Sequence, residues 1–179
     1  MPTILCLFVL FAVASFAGEK ELVLAERMRE EYRREEKLID LPEVQAYVQQ
    51  LGGSMGEVRF ELVYLKAEDP IVLPTKWVLV PVRALLVAKD EAEFARVLGH
   101  AVGHIVLRHG HQTLRGGSTM FWPNVHPDPL RKVPTSIAFR KWQERFEEEA
   151  EKYGADVASR AVLPGKLEEM KAAVRAALR

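Results

Sequence analysis

Two histidines four residues apart constrain this chain more than any other feature. His100 and His104 stand in the run Leu98-Gly99-His100-Ala101-Val102-Gly103-His104-Ile105-Val106-Leu107-Arg108-His109-Gly110. An α-helix turns once in about 3.6 residues, so both imidazoles would project from one face, within reach of a single metal ion. A bare HxxxH also fits two surface or capping histidines, and the flanking residues decide between them. Asp90 and Glu93 have the spacing of a capping box. Phe94, Val97, Leu98, Ala101 and Ile105 recur at helical spacing. The pattern predicts a helix that starts after Asp90 and buries one side, the rigid platform a metal pincer requires.

The segment 90–110, DEAEFARVLGHAVGHIVLRHG, resembles the active-site helix of the HtpX-like and CAAX-prenyl-protease-like family of zinc metalloendopeptidases, the gluzincins. The family motif is HExxH, and this chain reads HAVGH, with Ala101 in the glutamate's position. A second family motif, ExxxD within ExEADxxG, is matched by Phe146 to Gly154, FEEEAEKYG. Glu147 falls in the ligand position, Gly154 at the glycine, and Glu151 where the family has aspartate. Taken without its context, EEEAE would be an ordinary solvated acidic face. The resemblance implies an α+β, zincin-like metallopeptidase domain, mostly helical with a small sheet beside the active-site helix. It implies zinc held by His100, His104 and Glu147, with Glu151 accepting a hydrogen bond from a ligand histidine.

Two further stretches extend the likeness. LIDLPEVQAYVQQLG, residues 38–52, is similar to the family's lead-in. Asp40 and Glu43 again have capping-box spacing, Val44, Tyr47, Val48 and Leu51 supply an apolar face, and Gly52-Gly53 ends the helix. Val58, Phe60, Leu62 and Tyr64 alternate as a half-buried strand does, and Trp77 to Val82 is a second extended run. In the family a Leu-Pro-Gly-Gly loop leads to an edge strand that pairs with a substrate peptide. Here that substrate edge reads Leu73, Pro74, Thr75 and Lys76, with side chains where the family leaves bare backbone.

At 179 residues, the chain is long enough for one core and short for two. Lys+Arg 25 balance Asp+Glu 25, so no global field recruits nucleic acid, and no nucleic-acid partner is expected. Ile4 to Ala17 is an apolar run too short to span a bilayer comfortably, followed at once by Glu19 and Lys20. It reads as a signal peptide, residues 1–17, cleaved after Ala17, with residues 18–179 as the metallopeptidase-like domain. An uncleaved amino-terminal anchor is the alternative and the one route to membrane association. Both readings place the domain outside the cytoplasm, periplasmic or secreted. Cys6, the single cysteine, lies inside that segment, so a metal would be held by histidine and carboxylate.

Residues 19–39 alternate acids and bases along a loose apolar stripe and read as a long surface helix. Residues 116–134 are rich in proline and aromatics without periodicity, and Phe121 and Trp122 make a packed lid the expectation. His126 within it reads as solvent-facing. A helix capped by Thr135 or Ser136 carries Phe139, Trp142, Phe146, Ala150, Tyr153 and Val157, and a last amphipathic helix occupies residues 166–179. His109 falls on the far side of the histidine helix and His111 about three turns from His100, so neither is expected to ligate.

Three functions remain open on these residues. The first is a zinc endopeptidase acting on exported polypeptides, impaired because Ala101 cannot take a proton, with Glu148 or Glu151 as substitute base. The second is a non-catalytic pseudo-protease that binds partner proteins or unfolded chains through the inherited cleft. The third is a structural helical domain whose histidines bind nothing.

Overall fold

The computed structural model describes residues 23, 25–30, 40–64, 68–73, 75–110, 112 and 144–179. The expected signal segment, Pro74, His111, the proline-rich stretch with His126, and Phe139 and Trp142 lie outside the described residues. The architecture is α+β. In chain order come α1 (Pro42–Gly53), β1 (Arg59–Val63), β2 (Ile71–Val72), β3 (Trp77–Pro81), α2 (Val82–Val87), α3 (Glu91–Val106), α4 (Glu144–Ser159) and α5 (Leu167–Ala177). Residues 23 and 25–30 are also helical.

α1 begins one residue later than its sequence pattern suggests. Pro42 takes the first helical position, where its missing N–H costs nothing, so Leu41 becomes the N-cap and makes no side-chain cap bond. Asp40 is thereby one residue too far out, and the expected Asp40–Glu43 capping box does not form. The buried face is the expected one, with Val44, Tyr47, Val48 and Leu51 all inside. Gly52 is needed there, because a Cβ would lie 2.3 Å from the Phe60 ring.

The sheet has the order β1-β3-β2. β1 runs parallel to β3, with Arg59 opposite Trp77 and Val63 opposite Pro81, and β2 runs antiparallel to β3, with Ile71 opposite Leu79. β3 is therefore the central strand. Of the expected substrate edge, Leu73 directly follows β2 and Thr75 and Lys76 directly precede β3. Leu73 N–H donates to Trp77 O at 3.0 Å and Arg59 N–H to Lys76 O at 2.7 Å. Leu73 is buried, and Lys76 pairs with Glu57 at 2.7 Å on the surface.

The outer edge of β1 is closed in another way. Gln45 and Gln49, one turn apart on α1, use their side-chain amides as a strand would. Gln45 donates to Phe60 O at 2.6 Å and accepts from Leu62 N–H at 2.9 Å. Gln49 donates to Val58 O and accepts from Phe60 N–H, both at 3.0 Å. Exposed strand edges invite pairing with other chains, and these two side chains remove that opportunity from β1.

β1 is buried on both faces, where alternation had suggested one. Phe60 and Leu62 enter the main core, while Val63 joins Ala25, Met28, Leu73 and Leu79 in a second apolar cluster beneath helical residues 25–30. Glu61 on that second face is reached by Arg29 Nε at 2.6 Å, and the Arg29 guanidinium lies 3.7 Å from the centre of the Trp77 ring.

The Glu91 carboxylate ties three helices together. It accepts from Tyr47 O–H on α1 at 2.8 Å and from the backbone N–H groups of Gly165 and Lys166, at 2.6 and 3.0 Å, at the start of α5. Burial, then the bond to Glu91, pushes the Tyr47 hydroxyl pKa well up, so it stays a donor. α5 buries Leu167, Met170 and Val174 as expected, and leaves Leu178 exposed. Lys171 is also buried, its ammonium held by Ala88 O and Glu168.

Candidate metal centre

α3 starts as its sequence predicts. Asp90 is the N-cap and accepts from Glu93 N–H at 2.8 Å. Glu93 reaches back to the N–H of Lys89 at 2.6 Å, one residue before the cap. Phe94, Leu98, Ala101 and Val102 are buried, which holds the helix in one rotation about its axis.

Against this helix lies α4, and the contact is backbone to backbone. A Cβ on Gly99 would meet Gly154 O at 2.6 Å, one on Gly103 would meet Ala150 O at 2.7 Å, and one on Gly154 would meet His100 N at 2.5 Å. Small residues four apart, Gly99 and Gly103 on α3 facing Ala150, Gly154 and Ala158 on α4, let the axes come this close. The consequence is positional. Glu147, two turns before Gly154, is carried up to the histidines.

His100, His104 and Glu147 bring one ligand atom each to within 4.8 Å of one another. His100 Nε2 and His104 Nε2 are 3.0 Å apart, Glu147 Oε2 is 3.2 Å from His100 Nε2, and Glu147 Oε1 is 3.8 Å from His104 Nε2. Donors bound tetrahedrally at zinc distances stand about 3.3 Å from each other, so the triangle has the size a small cation needs. His104 is buried, while the His100 and Glu147 side chains are 30% and 45% exposed, which leaves one side of the group accessible. The group could hold a metal ion.

No protein-family model matches the chain, and no curated protein matches it at a significant level. Burial, with smaller contributions from His100 and His109, pushes the pKa of His104 down to about 3. His104 is thus neutral at physiological pH, the form that ligates metals.

Glu151 lies beside His100, with Oε2 3.3 Å from Nδ1. The pair is not aligned for a hydrogen bond, and the buried Nδ1 has none. The other carboxylate oxygen accepts from Arg96 at 2.7 Å, and that bond holds the Glu151 pKa below the ordinary carboxylate range. Glu148 is exposed, outside the ligand group. Ala101 is 1% exposed and its methyl belongs to the main apolar cluster.

Sequence reasoning missed His109 and Glu149. His109 is not one of the converging donors, yet it is not on the far side of a continuing helix either. α3 stops at Val106, and Arg108 turns the chain with φ 57, the left-handed conformation that costs a side-chain-bearing residue about 1 kcal/mol. His109 then folds under His104, Nδ1 to Nδ1 at 3.0 Å, with its ring stacked on Phe146 at 4.4 Å between centroids. Its Nε2 lies 3.2 Å from Glu149 Oε2. The glycine spacing on α3 was a signal available in the sequence; the reversal at Arg108 was not, since no glycine or proline marks it.

Proposed function

We propose that the chain is an exported zinc-binding domain of the gluzincin metallopeptidase kind, zincin-like in fold, whose peptidase chemistry is impaired by Ala101. The observation that carries the reading is the convergence of His100, His104 and Glu147 from two helices that a glycine contact locks together. Two imidazoles, a carboxylate and no thiol form a donor set suited to zinc with an open position. Zinc bound there would polarise a carbonyl and acidify water.

The chain's own residues supply less than such chemistry requires. A general base contributes roughly 10²- to 10⁴-fold to hydrolysis, and the Ala101 methyl accepts no proton. Neither substitute acid is well disposed. Arg96 lowers the basicity of Glu151, which is turned toward His100, and Glu148 stands outside the group.

One observation favours the non-catalytic reading, in which the domain binds a partner protein or unfolded chain. The Ala101 position has been absorbed into the core, at 1% exposure. Ala101→Glu separates the two. With zinc bound, a rise of about a hundredfold in turnover of an unfolded protein, the low end of the general-base contribution, supports the impaired enzyme. Zinc binding without turnover supports the pseudo-protease. Absence of zinc from the unmodified protein defeats both.

A further inference from the structure

The chain of contacts leading away from His104 has a chemistry of its own. His104 Nδ1 and His109 Nδ1 are 3.0 Å apart inside the protein, and His109 Nε2 is 3.2 Å from Glu149 Oε2. Two ring nitrogens at that distance share one proton: two bare nitrogens repel, and two protonated ones clash. An ionised carboxylate accepts and cannot donate. Arg145 Nε lies 3.3 Å from the other Glu149 oxygen.

The proton positions then follow in order. Glu149 accepts from His109 Nε2–H. A neutral His109 with its proton on Nε2 presents a bare Nδ1, so the shared proton belongs to His104 Nδ1. A neutral His104 with that proton has a bare Nε2, and this is the atom that faces His100 and Glu147. Both rings are buried, and burial favours an uncharged imidazole.

We propose that Glu149 and His109 are positioning residues of the metal centre, which, hydrogen-bonded in series to His104, fix its proton on Nδ1 and leave Nε2 as a lone-pair donor. The importance of this arrangement rests on the zinc-binding reading, whereas the proton assignment does not. Outer partners of ligand histidines usually contribute 10- to 100-fold to metal affinity. Glu149 is the useful handle, since its side chain is 43% exposed and its replacement leaves the core intact.

The test uses Glu149→Leu, which removes the acceptor, and Glu149→Gln, which keeps a neutral oxygen able to accept from His109 Nε2–H. Zinc affinity is measured by competition with a chromophoric chelator, and the His104 tautomer by nitrogen-15 NMR of the metal-free protein. The expected result is an Nδ1–H tautomer for His104 in the unmodified protein and in Glu149→Gln, with zinc affinities within about threefold of each other. Glu149→Leu should bind zinc about ten- to a hundredfold more weakly and show a mixture of His104 tautomers at an unchanged melting temperature. An Nε2–H tautomer in the unmodified protein overturns the proposal. So does unaltered affinity in Glu149→Leu, an equal loss in Glu149→Gln, or a loss in Glu149→Leu with the tautomer unchanged. If the unmodified protein binds no zinc, the function proposed above fails, and the tautomer measurement still decides the proton assignment.

Discussion

Replacing Gly154 by alanine should damage the metal centre from a position outside the ligand set. The added Cβ would lie 2.5 Å from His100 N and 2.7 Å from Gly99 C and His100 Cα. These are backbone atoms of a capped, buried helix and cannot swing aside as a side-chain tip could. Ordinary contact needs about 3.4 Å, so α4 must move away from α3 by about 0.9 Å. Metal sites tolerate errors of only about 0.2 Å in ligand distance, and Glu147 rides on the helix that moves. Overpacking of this sort costs about 1–3 kcal/mol, while alanine in place of glycine within a helix returns about 1 kcal/mol. Stability should therefore fall by no more than about 2 kcal/mol, with a folded protein remaining. Zinc affinity should fall at least about tenfold, on the scale that misplaced ligand supports produce. Urea denaturation of the metal-free protein and a chelator competition measure the two effects separately. A folded Gly154→Ala protein with zinc affinity within twofold of the original would refute the claim that the glycine contact sets the position of Glu147.

Three other outcomes follow from the same geometry. Ala101→Glu places a carboxyl at a 1% exposed position among apolar neighbours, so the metal-free protein should lose roughly 1–3 kcal/mol, read from the urea midpoint, whether or not activity returns. The metal-free protein should also weaken with acid. The folded-state pKa of His104, about 3, lies below its unfolded value near 6.5, so the unfolded chain takes up a proton that the folded one refuses as pH falls between them. Stability present at pH 7.5 should be lower by about 2 kcal/mol at pH 5, and a His104→Phe protein should lack that part of the dependence. Glu91→Ala removes the acceptor for Tyr47 O–H and two N–H groups of α5, which should cost about 2–4 kcal/mol without altering zinc affinity in the folded fraction.

The elements that position the ligands were legible because each is written locally. Asp90 and Glu93 announce the start of α3, the apolar spacing from Phe94 to Ile105 gives its buried side, and Leu167, Met170 and Val174 do the same for α5. What could not be read depends on partners distant in the chain. Alternation in β1 shows one buried face, but only the packing of residues 25–30 against Val63 buries the other. Gln45 and Gln49 look like ordinary polar positions on α1 until β1 lies beside them and their amides complete its hydrogen bonds. β3 is central because β2 folds back on it, and a two-residue strand leaves almost no sequence pattern. His109 was lost for a different reason. Extrapolating a straight helix past Val106 sends it away from the ligands, and the left-handed Arg108 brings it back.

Zinc content tests the central claim most directly. The purified domain should be loaded, dialysed against buffer free of chelator and measured for metal and protein together, alongside its His100→Ala and Glu147→Ala forms. One zinc per chain in the unmodified protein, lost from both variants while their folds remain intact by circular dichroism, is the predicted result. A folded, unmodified protein that retains no zinc, or a Glu147→Ala form that retains its full complement, would contradict the account.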